Sequence, residues 1–407
     1  MKNALTFLMV LILVNSCSRN DFKDTQLIFE SNKEIYQLND NFELTILISP
    51  INKQKTIRLF KDLKNIKISI LGINNLFIDE FEIDNKVDVY RIKKSRWKFA
   101  KFYDQNRRLQ SKIEEINKKY KIDIIEGSEL NFAFFKNNTP YKKVIRLHGG
   151  HHFFAHELNK KTSFWRAYQE KKSFKKADEF IAVSNYVAKK TKKYLKFNFN
   201  HKTIYNSINL ENFYESNPRN EKNNKLVFIG TVCEKKGVER LVKAFPMLKK
   251  HYPNLTLNIV GRDWKSKDIE SYIEYLKNSF PKIINNDITF TGVLPQHEIP
   301  KIIEAAKVCI YPSLAESFGL TIIEAMAMGK CVAASNIEPF KEIVGKSESV
   351  LFFNPYSLES ISETILEILN DINLQEKLKV SSRLHIFNKF ETDKIIKENI
   401  NFYESLK

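Results

Sequence analysis

The sequence predicts an α/β protein in which two domains, each a parallel sheet covered by helices, face each other across a cleft. From about residue 86 onward, short apolar segments alternate with longer amphipathic ones, which is the pattern of parallel strands joined by helices. Glycines also stand at the ends of predicted strands, where backbone N–H groups can approach a ligand at the carboxyl edge of a sheet. They are Gly149, Gly150, Gly230, Gly261 and Gly292.

The first element, residues 1–19, has the pattern of a lipoprotein export signal. A basic residue precedes an apolar run from Ala4 to Val14, and small polar residues then lead to Cys17, the predicted lipidation site. The apolar run is short for a transmembrane helix. The alternative is that this run is a buried first strand of an α/β domain.

The next segment, residues 20–85, is predicted to be a small β-rich module of antiparallel or sandwich type. Its short apolar alternations, such as "LIFESNKEIYQLNDNFELTILISP", are separated by Asn and Asp turns and have no helical period. The α/β pattern begins only after this module; compared with the two-domain proteins that the later motifs resemble, the first α/β domain, residues 86–205, is predicted to be incomplete.

The second α/β series is predicted over residues 206–385 and is followed by a C-terminal helix at 386–407. Strands at "KLVFIG", "LTLNIVG", "ITFTG", "VCIYPS" and "CVAAS" alternate with helices in this domain. The predicted helices of the whole chain are 97–120, 236–252, 267–280, 297–306, 318–329, 357–371 and 373–405.

Composition limits the classes of partner. The net charge of +18 allows an anionic substrate, an anionic membrane surface or simply a solvated lysine-rich surface. Aromatic residues do not alternate with the basic runs in the way that a platform for stacking bases requires. No nucleic-acid-binding motif occurs either, so nucleic acid is excluded as a partner. Basic residues mix with aromatic ones at 91–102, 159–176 and 189–197, which suits a bilayer surface. The four cysteines form no CxxC pair, and no metal site is predicted.

Two glutamates, Glu316 and Glu324, carry the candidate chemistry. Glu324 lies within an almost wholly apolar predicted helix, where a carboxylate needs hydrogen-bond donors. If Ser317 caps that helix, its free N–H groups lie between the two glutamates. A helix N-terminus flanked by carboxylates suits a ligand with phosphates in the middle and hydroxyl-rich groups at both ends. A nucleotide sugar is such a molecule.

The run "AKVCIYPSLAESFGLTIIEAMAMGKCVAAS" resembles the donor-site signature of the family 4 retaining glycosyltransferases, which have the GT-B fold of two Rossmann-like domains. The resemblance extends over residues 140–370. The segments "FIGTVCEKKGVERLVKAF", "LNIVGRD" and "ITFTGVLPQHEIPKIIEAAKVCIYPS" resemble strands and loops of the family's donor domain. The segments "RLHGGHHFF" and "FIAVSNYVAKK" resemble the end of its acceptor domain, and "IYNSINLENF" resembles the crossing between the two.

The resemblance implies a role for each matching residue. Catalytic roles near the donor sugar fall to Glu316 and His148, the latter from the other domain. The residues implied to bind the nucleotide diphosphate and its ribose are Gly230, Lys236, Arg262, Ser317, Phe318, Gly319, Leu320, Thr321 and Glu324. The donor is a substrate, and no further cofactor or metal is implied.

The family's chemistry implies transfer with retention of configuration, in which the leaving diphosphate accepts the proton of the attacking hydroxyl. The implied acceptor is a glycan or a lipid-linked sugar in cell-surface polysaccharide synthesis. The expected location is the cytoplasm, at the inner face of the membrane, whereas the lipoprotein-like signal predicts export. Two alternatives remain: a chain that binds a nucleotide sugar without transferring it, and an exported sugar-binding lipoprotein.

Overall fold

Two β-sheets, one in each half of the chain, organise the fold. The computed structural model describes residues 7–9, 44–48, 66–74, 77–84, 87–96, 101–265, 269–284 and 287–407. The strands of the N-terminal sheet are β1 (Phe7–Met9), β2 (Leu44–Ile48), β3 (Ile66–Ile73), β4 (Glu80–Asp84), β5 (Val87–Ile92), β6 (Lys121–Ile122), β7 (Ile124–Gly127), β8 (Lys142–Leu147), β9 (Glu179–Ala182) and β10 (Lys202–Thr203). Those of the C-terminal sheet are β11 (Lys225–Ile229), β12 (Thr256–Val260), β13 (Ile288–Gly292), β14 (Val308–Tyr311), β15 (Cys331–Ser335) and β16 (Leu351–Phe353).

The separate β-rich module predicted over residues 20–85 is wrong wherever the structure describes that segment. Strand β3 pairs in parallel with β2 and with β5, and β2 pairs in parallel with β7, so the predicted boundary at 86 falls inside one sheet. These strands also supply units that the incomplete domain 86–205 was predicted to lack. Residues 20–43 and 49–65 lie outside the described residues.

The alternation of polar and apolar residues in β3 explains the error. The alternation predicts one solvated face, yet Ile68, Ser69 and Ile70 are all buried. The remaining charge, on Lys67, is paired with Asp88 on the neighbouring β5 at 2.9 Å. A strand buried on both faces can therefore keep an alternating pattern when its polar side chains find partners within the sheet.

The apolar run near the N-terminus contributes a strand to this sheet. Strand β1 pairs in parallel with β3 and with β6. This arrangement is the one expected from the alternative of a first strand, rather than from a cleaved export signal. Cys17, the predicted lipidation site, lies outside the described residues.

The C-terminal sheet has the strand order β13-β12-β11-β14-β15-β16, with every pairing parallel. Counted from β11, this is the 3-2-1-4-5-6 order of the Rossmann fold. The chain direction across the sheet reverses between β11 and β14, and ligands of open α/β sheets bind at the carboxyl ends of the strands beside this point. The predicted Rossmann-like architecture is confirmed.

The helices cover both sheets. They are α1 (Lys101–Lys119), α2 (His151–Glu157), α3 (Phe164–Phe174), α4 (Asn185–Leu195), α5 (Val238–His251), α6 (Tyr272–Ser279), α7 (Ile299–Glu304), α8 (Leu320–Ala327), α9 (Glu338–Val344), α10 (Leu358–Asn370), α11 (Ile372–Phe390) and α12 (Thr392–Glu404). The single helix predicted over 373–405 divides at Glu391, which lies outside the helical region and caps α12 with its side chain.

The last helix, α12, returns to the N-terminal domain. Its residues Ile395, Ile400 and Tyr403 belong to the apolar core of that domain. The break between the helices at Glu391 allows this change of direction. Beside it, where the chain crosses between the domains, the N–H of Ile208 donates to the carbonyl of Phe390 at 2.9 Å. The predicted C-terminal element 386–407 therefore completes the first domain.

A buried polar network fixes α12 in place. Arg146 on β8 donates to both carboxylate oxygens of Glu126 on β7, at 2.7 and 2.9 Å, and to Asn399 at 2.7 Å. Tyr403 donates its hydroxyl to Glu126 at 2.6 Å. Because burial and Glu126 disfavour the phenolate, the pKa of Tyr403 is raised well above its usual value.

We expect Tyr403→Phe to lower the free energy of unfolding by about 2 kcal/mol, the cost of removing a buried hydrogen bond to a carboxylate. Urea unfolding followed by circular dichroism measures the change. Tyr356→Phe is the control, because Tyr356 is 67% exposed. Equal stability of both variants would contradict the assignment of Tyr403 as the anchor of α12.

Candidate functional site

The candidate site lies at the carboxyl ends of β11 and β14, where the strand order of the C-terminal sheet reverses. Gly230 directly follows β11, and Lys236 lies in the short 3-10 helix Glu234–Lys236 after it. Glu316 follows β14 in the loop that leads to α8. The two loops are neighbours because β11 and β14 pair in parallel.

Gly237 allows the β11 loop to dock against the β14 loop. Its φ is +69°, and a Cβ at this position would lie 1.8 Å from the carbonyl oxygen of Pro312. The N–H of Leu314 donates to the carbonyl of Lys235 at 2.8 Å and joins the same two loops. Only glycine permits this approach, which brings Lys236 against Glu316.

Glu316 is a buried carboxylate held by cationic partners. Its Oε1 accepts hydrogen bonds from Lys236 Nζ and, at 3.0 Å, from Ser313 Oγ. Burial alone would raise the pKa of Glu316, but the charges of Lys236 and Lys235 and these hydrogen bonds outweigh burial and hold the pKa below its usual value. The carboxylate is therefore ionised at neutral pH, ready to accept from hydroxyl groups.

Lys235 is a site residue that the sequence did not distinguish from its neighbour. Burial lowers the pKa of Lys235, and the charge of Lys236 adds to this effect, although Glu316 opposes it. Its Nζ lies 3.9 Å from the ring centroid of Phe154 on α2, so it reaches across to the N-terminal domain. The site thus holds two adjacent lysines, where the sequence assigned a role to one.

Helix α8 begins two residues later than predicted, at Leu320, and its N-cap is Gly319 rather than Ser317. Gly319 has a φ of +94°, and a Cβ there would lie 2.6 Å from the ring of Phe340. Phe318 is buried beside it. No side chain caps the helix, so its first N–H groups, at Leu320 and Thr321, lie at the positive end of the dipole.

Ser317, which the sequence predicted to cap α8, instead joins the two domains. Its carbonyl accepts a hydrogen bond from Ser184 Oγ at 2.8 Å, and Ser184 itself caps α4 in the N-terminal domain. The N–H groups of Asn185 and Tyr186, at the start of α4, donate to Glu342 on α9 at 2.7 and 2.8 Å. The N-terminus of α4 is therefore held against the C-terminal domain.

Two further predicted residues are Glu324, on α8, and Arg262, in the loop after β12. Glu324 is partly exposed rather than buried, which corrects the expectation of a fully buried carboxylate. Arg262 is exposed after β12, and its carbonyl accepts from the N–H of Val232 at 2.8 Å.

His148 enters from the N-terminal domain, at the carboxyl end of β8. Its backbone N–H donates to Glu129 Oε1 at 2.6 Å. Glu129 and its neighbour Glu170 were missed by sequence reasoning, because isolated glutamates in a loop and a helix carry no motif. The structure alone shows that both are buried.

Two protein-family models match the chain in succession. The model described as Glycosyltransferase Family 4 matches residues 75–212, and the model described as Glycosyl transferases group 1 matches residues 210–385. Together the two matches cover residues 75–385, so both domains of the chain are similar to glycosyltransferases. The resemblance to family 4 noted in the sequence is confirmed at this level, and the first match begins before the predicted domain boundary at 86.

The curated relatives of the chain are distant. An uncharacterized glycosyltransferase of Methanocaldococcus jannaschii is 28% identical over 50% of this chain and 53% of its own length. The O-antigen chain mannosyltransferase B of Escherichia coli is 28% identical over 44% of this chain and 45% of its own length. The chain therefore spans about half the length of these two relatives.

Solved structures confirm the predicted GT-B fold of the chain. Sucrose-phosphate synthase from Thermosynechococcus elongatus is 21% identical, with a TM-score of 0.75 over 87% of this chain and 93% of that one. The Anabaena protein HepE in complex with UDP-glucose is 17% identical, with a TM-score of 0.69 over 87% of this chain and 95% of that one. In the part of the chain that the structure describes, no helix has the length and apolar character needed to cross a membrane.

Proposed function

We propose that this glycosyltransferase transfers a sugar from a nucleotide-diphosphate sugar to a glycan or lipid-linked acceptor with retention of configuration. The observation that carries the proposal is the cluster of Lys235, Lys236 and Glu316 beside the uncapped N-terminus of α8. Two cations and a helix dipole suit a diphosphate, and an ionised carboxylate suits sugar hydroxyls. The UDP-glucose bound by HepE, which shares the fold, supports this class of donor.

The residues divide the donor between them. The N–H groups after Gly319 and the two lysines would hold the diphosphate, with Gly230 and Arg262 at the neighbouring strand ends. Glu324 would accept from ribose hydroxyls. Glu316 and His148 would contact the donor sugar from opposite domains and serve as the catalytic residues.

The transfer step follows from this arrangement. The acceptor oxygen forms a bond to the anomeric carbon while the bond from that carbon to the diphosphate oxygen breaks. The proton of the acceptor hydroxyl passes to the departing diphosphate on the same face. Lys236 and the helix N-terminus stabilise the negative charge that develops there, without a metal or any further cofactor.

Proton NMR of the reaction products tests this function. The protein is incubated with α-linked nucleotide sugars, and we expect slow donor cleavage that yields the α-anomer before mutarotation. A β-anomer as first product would contradict retention. Saturable binding without any cleavage, in the presence of lipid-linked and glycan acceptors, would favour the alternative of a binding protein without transfer. The absence of any nucleotide binding would favour the sugar-binding lipoprotein.

We further propose that the acceptor is reached at an anionic membrane surface, in cell-surface polysaccharide synthesis. The O-antigen mannosyltransferase among the relatives supports this pathway class. Among the described residues of the three basic and aromatic segments, those of 159–176 form the surface best suited to a bilayer. Here α3 exposes Phe164, Trp165 and Tyr168 at 85%, 49% and 44%. Exposed cations surround these rings: Lys160, Lys161, Arg166, Lys171 and Lys175.

We expect the double variant Phe164→Ser, Trp165→Ser to lose about tenfold or more in its partition onto vesicles of phosphatidylglycerol and phosphatidylcholine. Sedimentation measures the bound fraction, and salt should release the wild type because it screens the attraction. The matched control is Leu384→Ser, Phe387→Ser on α11, where both side chains are 59% exposed. Equal binding to neutral and anionic vesicles, or equal loss in both variants, would contradict this location.

A further inference from the structure

Two buried carboxylates, Glu129 and Glu170, enclose the segment that carries His148. Glu129 follows β7 and is 5% exposed, and Glu170 on α3 is fully buried. Between them lies Gly150, where a Cβ would meet Glu170 Oε1 at 1.9 Å and Glu129 Cβ at 3.0 Å. The side chains of both glutamates therefore lie against the backbone at Gly150.

Each carboxylate binds one end of the segment 148–152. Glu129 accepts from the backbone N–H groups of His148 and Gly149. Glu170 Oε2 accepts from the N–H of His152 at 2.9 Å and lies 2.5 Å from its ring Nδ1. The segment is thereby held at both ends by side chains that come from outside β8 and α2.

The arrangement is costly for a purely structural element. Among the described residues, Glu170 Oε1 has no hydrogen-bond partner, although it is fully buried. Burial and the charge of Glu170 both disfavour the ionised form of Glu129. Native structures retain such unfavourable groups mostly where they serve a site.

We propose that Glu129 and Glu170 are positioning residues that fix the segment 148–152, and through it His148, for the transfer step. The inference rests on the proposed function, because it assigns His148 to the donor sugar. Glu129 accepts from the backbone N–H groups of His148 and Gly149, and it therefore determines where the imidazole of His148 enters the cleft. Glu170 holds the start of α2 through its contacts with the N–H and the ring Nδ1 of His152.

The protonation state of Glu129 should then affect the pH dependence of kcat. Burial raises the pKa of Glu129 to about 7, and the charge of Glu170 adds to this effect, although the backbone N–H groups oppose it. The titratable groups around the pair are His151 and His152, which face Glu170, and Arg166, which faces His151. An ionised carboxylate binds N–H groups more strongly than a neutral acid, so kcat should rise as the pH passes through about 7.

The test compares Glu129→Gln with the wild type. We expect kcat for donor cleavage to fall about tenfold at pH 8, the value of a charge-assisted hydrogen bond, and its rise near pH 7 to disappear. Binding of the bare nucleoside diphosphate should be unchanged, because its proposed contacts lie in the other domain. The control is Glu157→Gln, since Glu157 binds the hydroxyls of Tyr186 and Tyr194 at 2.5 and 2.6 Å instead of this segment.

A second measurement needs no activity. The folded-state pKa of Glu129 lies above its unfolded value, so its contribution to stability falls as the pH rises between about 4.5 and about 7. Glutamine carries no charge, and the melting temperature of Glu129→Gln relative to the wild type should therefore increase from pH 5 to pH 8. An unchanged difference would contradict the buried, titrating carboxyl.

The outcomes separate the two proposals. If the wild type binds no nucleoside diphosphate, the proposed function fails. If it binds and cleaves the donor, but Glu129→Gln keeps the wild-type kcat and pH profile, only the positioning role is overturned. Should Glu129→Gln fail to fold, Gly150→Ala displaces Glu170 instead, and the same loss of kcat with intact nucleotide binding is expected.

Discussion

Replacing Lys236 with alanine is expected to lower kcat/KM for the donor by about 10²- to 10³-fold, the size of effect seen when a group that stabilises developing charge is removed. Lys236 pairs with Glu316, and its side chain is 19% exposed. A diphosphate that enters the site would compete for this cation. Without Lys236, Lys235 is the one lysine of the pair that remains to stabilise the departing diphosphate.

Steady-state kinetics with the cognate nucleotide sugar measures this effect, and Lys243→Ala is the matched control. Lys243 lies in the same domain and forms an ion pair with Glu239 at 2.6 Å on the exposed side of α5. The control should keep the wild-type kcat/KM, since surface pairs contribute little. A Lys236→Ala variant within threefold of the wild type would show that the diphosphate lies elsewhere.

Gly237→Ala is expected to lower the free energy of unfolding by about 3 kcal/mol, from left-handed strain and from overpacking against the loop after β14. The added Cβ would meet the carbonyl oxygen of Pro312 at 1.8 Å, which is a backbone atom that cannot rotate away. The β11 loop must then move, and Lys236 moves with it. Nucleotide binding should weaken together with stability.

The Gly329→Ala variant measures the cost of left-handed backbone strain in the absence of overpacking. Gly329 has a φ of +66°, close to the +69° of Gly237, but the nearest atom to its added Cβ is Lys379 O at 3.6 Å. We expect this control to cost only the strain, about 1 kcal/mol, and to keep nucleotide binding. Chemical denaturation and calorimetric titration provide both readouts. Equal costs for the two variants would contradict the docking of the β11 loop on Pro312.

The donor half of the fold could be predicted from the sequence because its strands are continuous apolar runs with glycine at their ends. Those runs predicted the parallel domain correctly, whereas the donor site predicted from the motif around Glu316, in the loop between β14 and α8, stays a prediction. The loop's geometry could not be predicted, because two adjacent lysines look equivalent in a sequence. Only the approach of Gly237 to Pro312 shows that Lys236 meets Glu316 while Lys235 turns toward Phe154.

The N-terminal half was harder to predict for a different reason. Strand β3 alternates like a half-solvated strand, yet Ser69 is buried and Lys67 pairs with Asp88 from the adjacent strand. Its membership of the parallel sheet depends on partners far along the chain. The contact between Tyr403 and Glu126 likewise joins residues 277 positions apart, and no local pattern reports such a contact.

We propose that the lysine–glutamate cluster at the N-terminus of α8 binds the diphosphate of a sugar donor. Calorimetric titration of the full chain with UDP, GDP, ADP and the matching monophosphates tests it most directly. We predict that one diphosphate binds at a single site, more tightly than its monophosphate by about tenfold or more, and that Lys236→Ala loses this preference. Equal affinity for diphosphate and monophosphate, or a preference that survives in Lys236→Ala, would contradict the account.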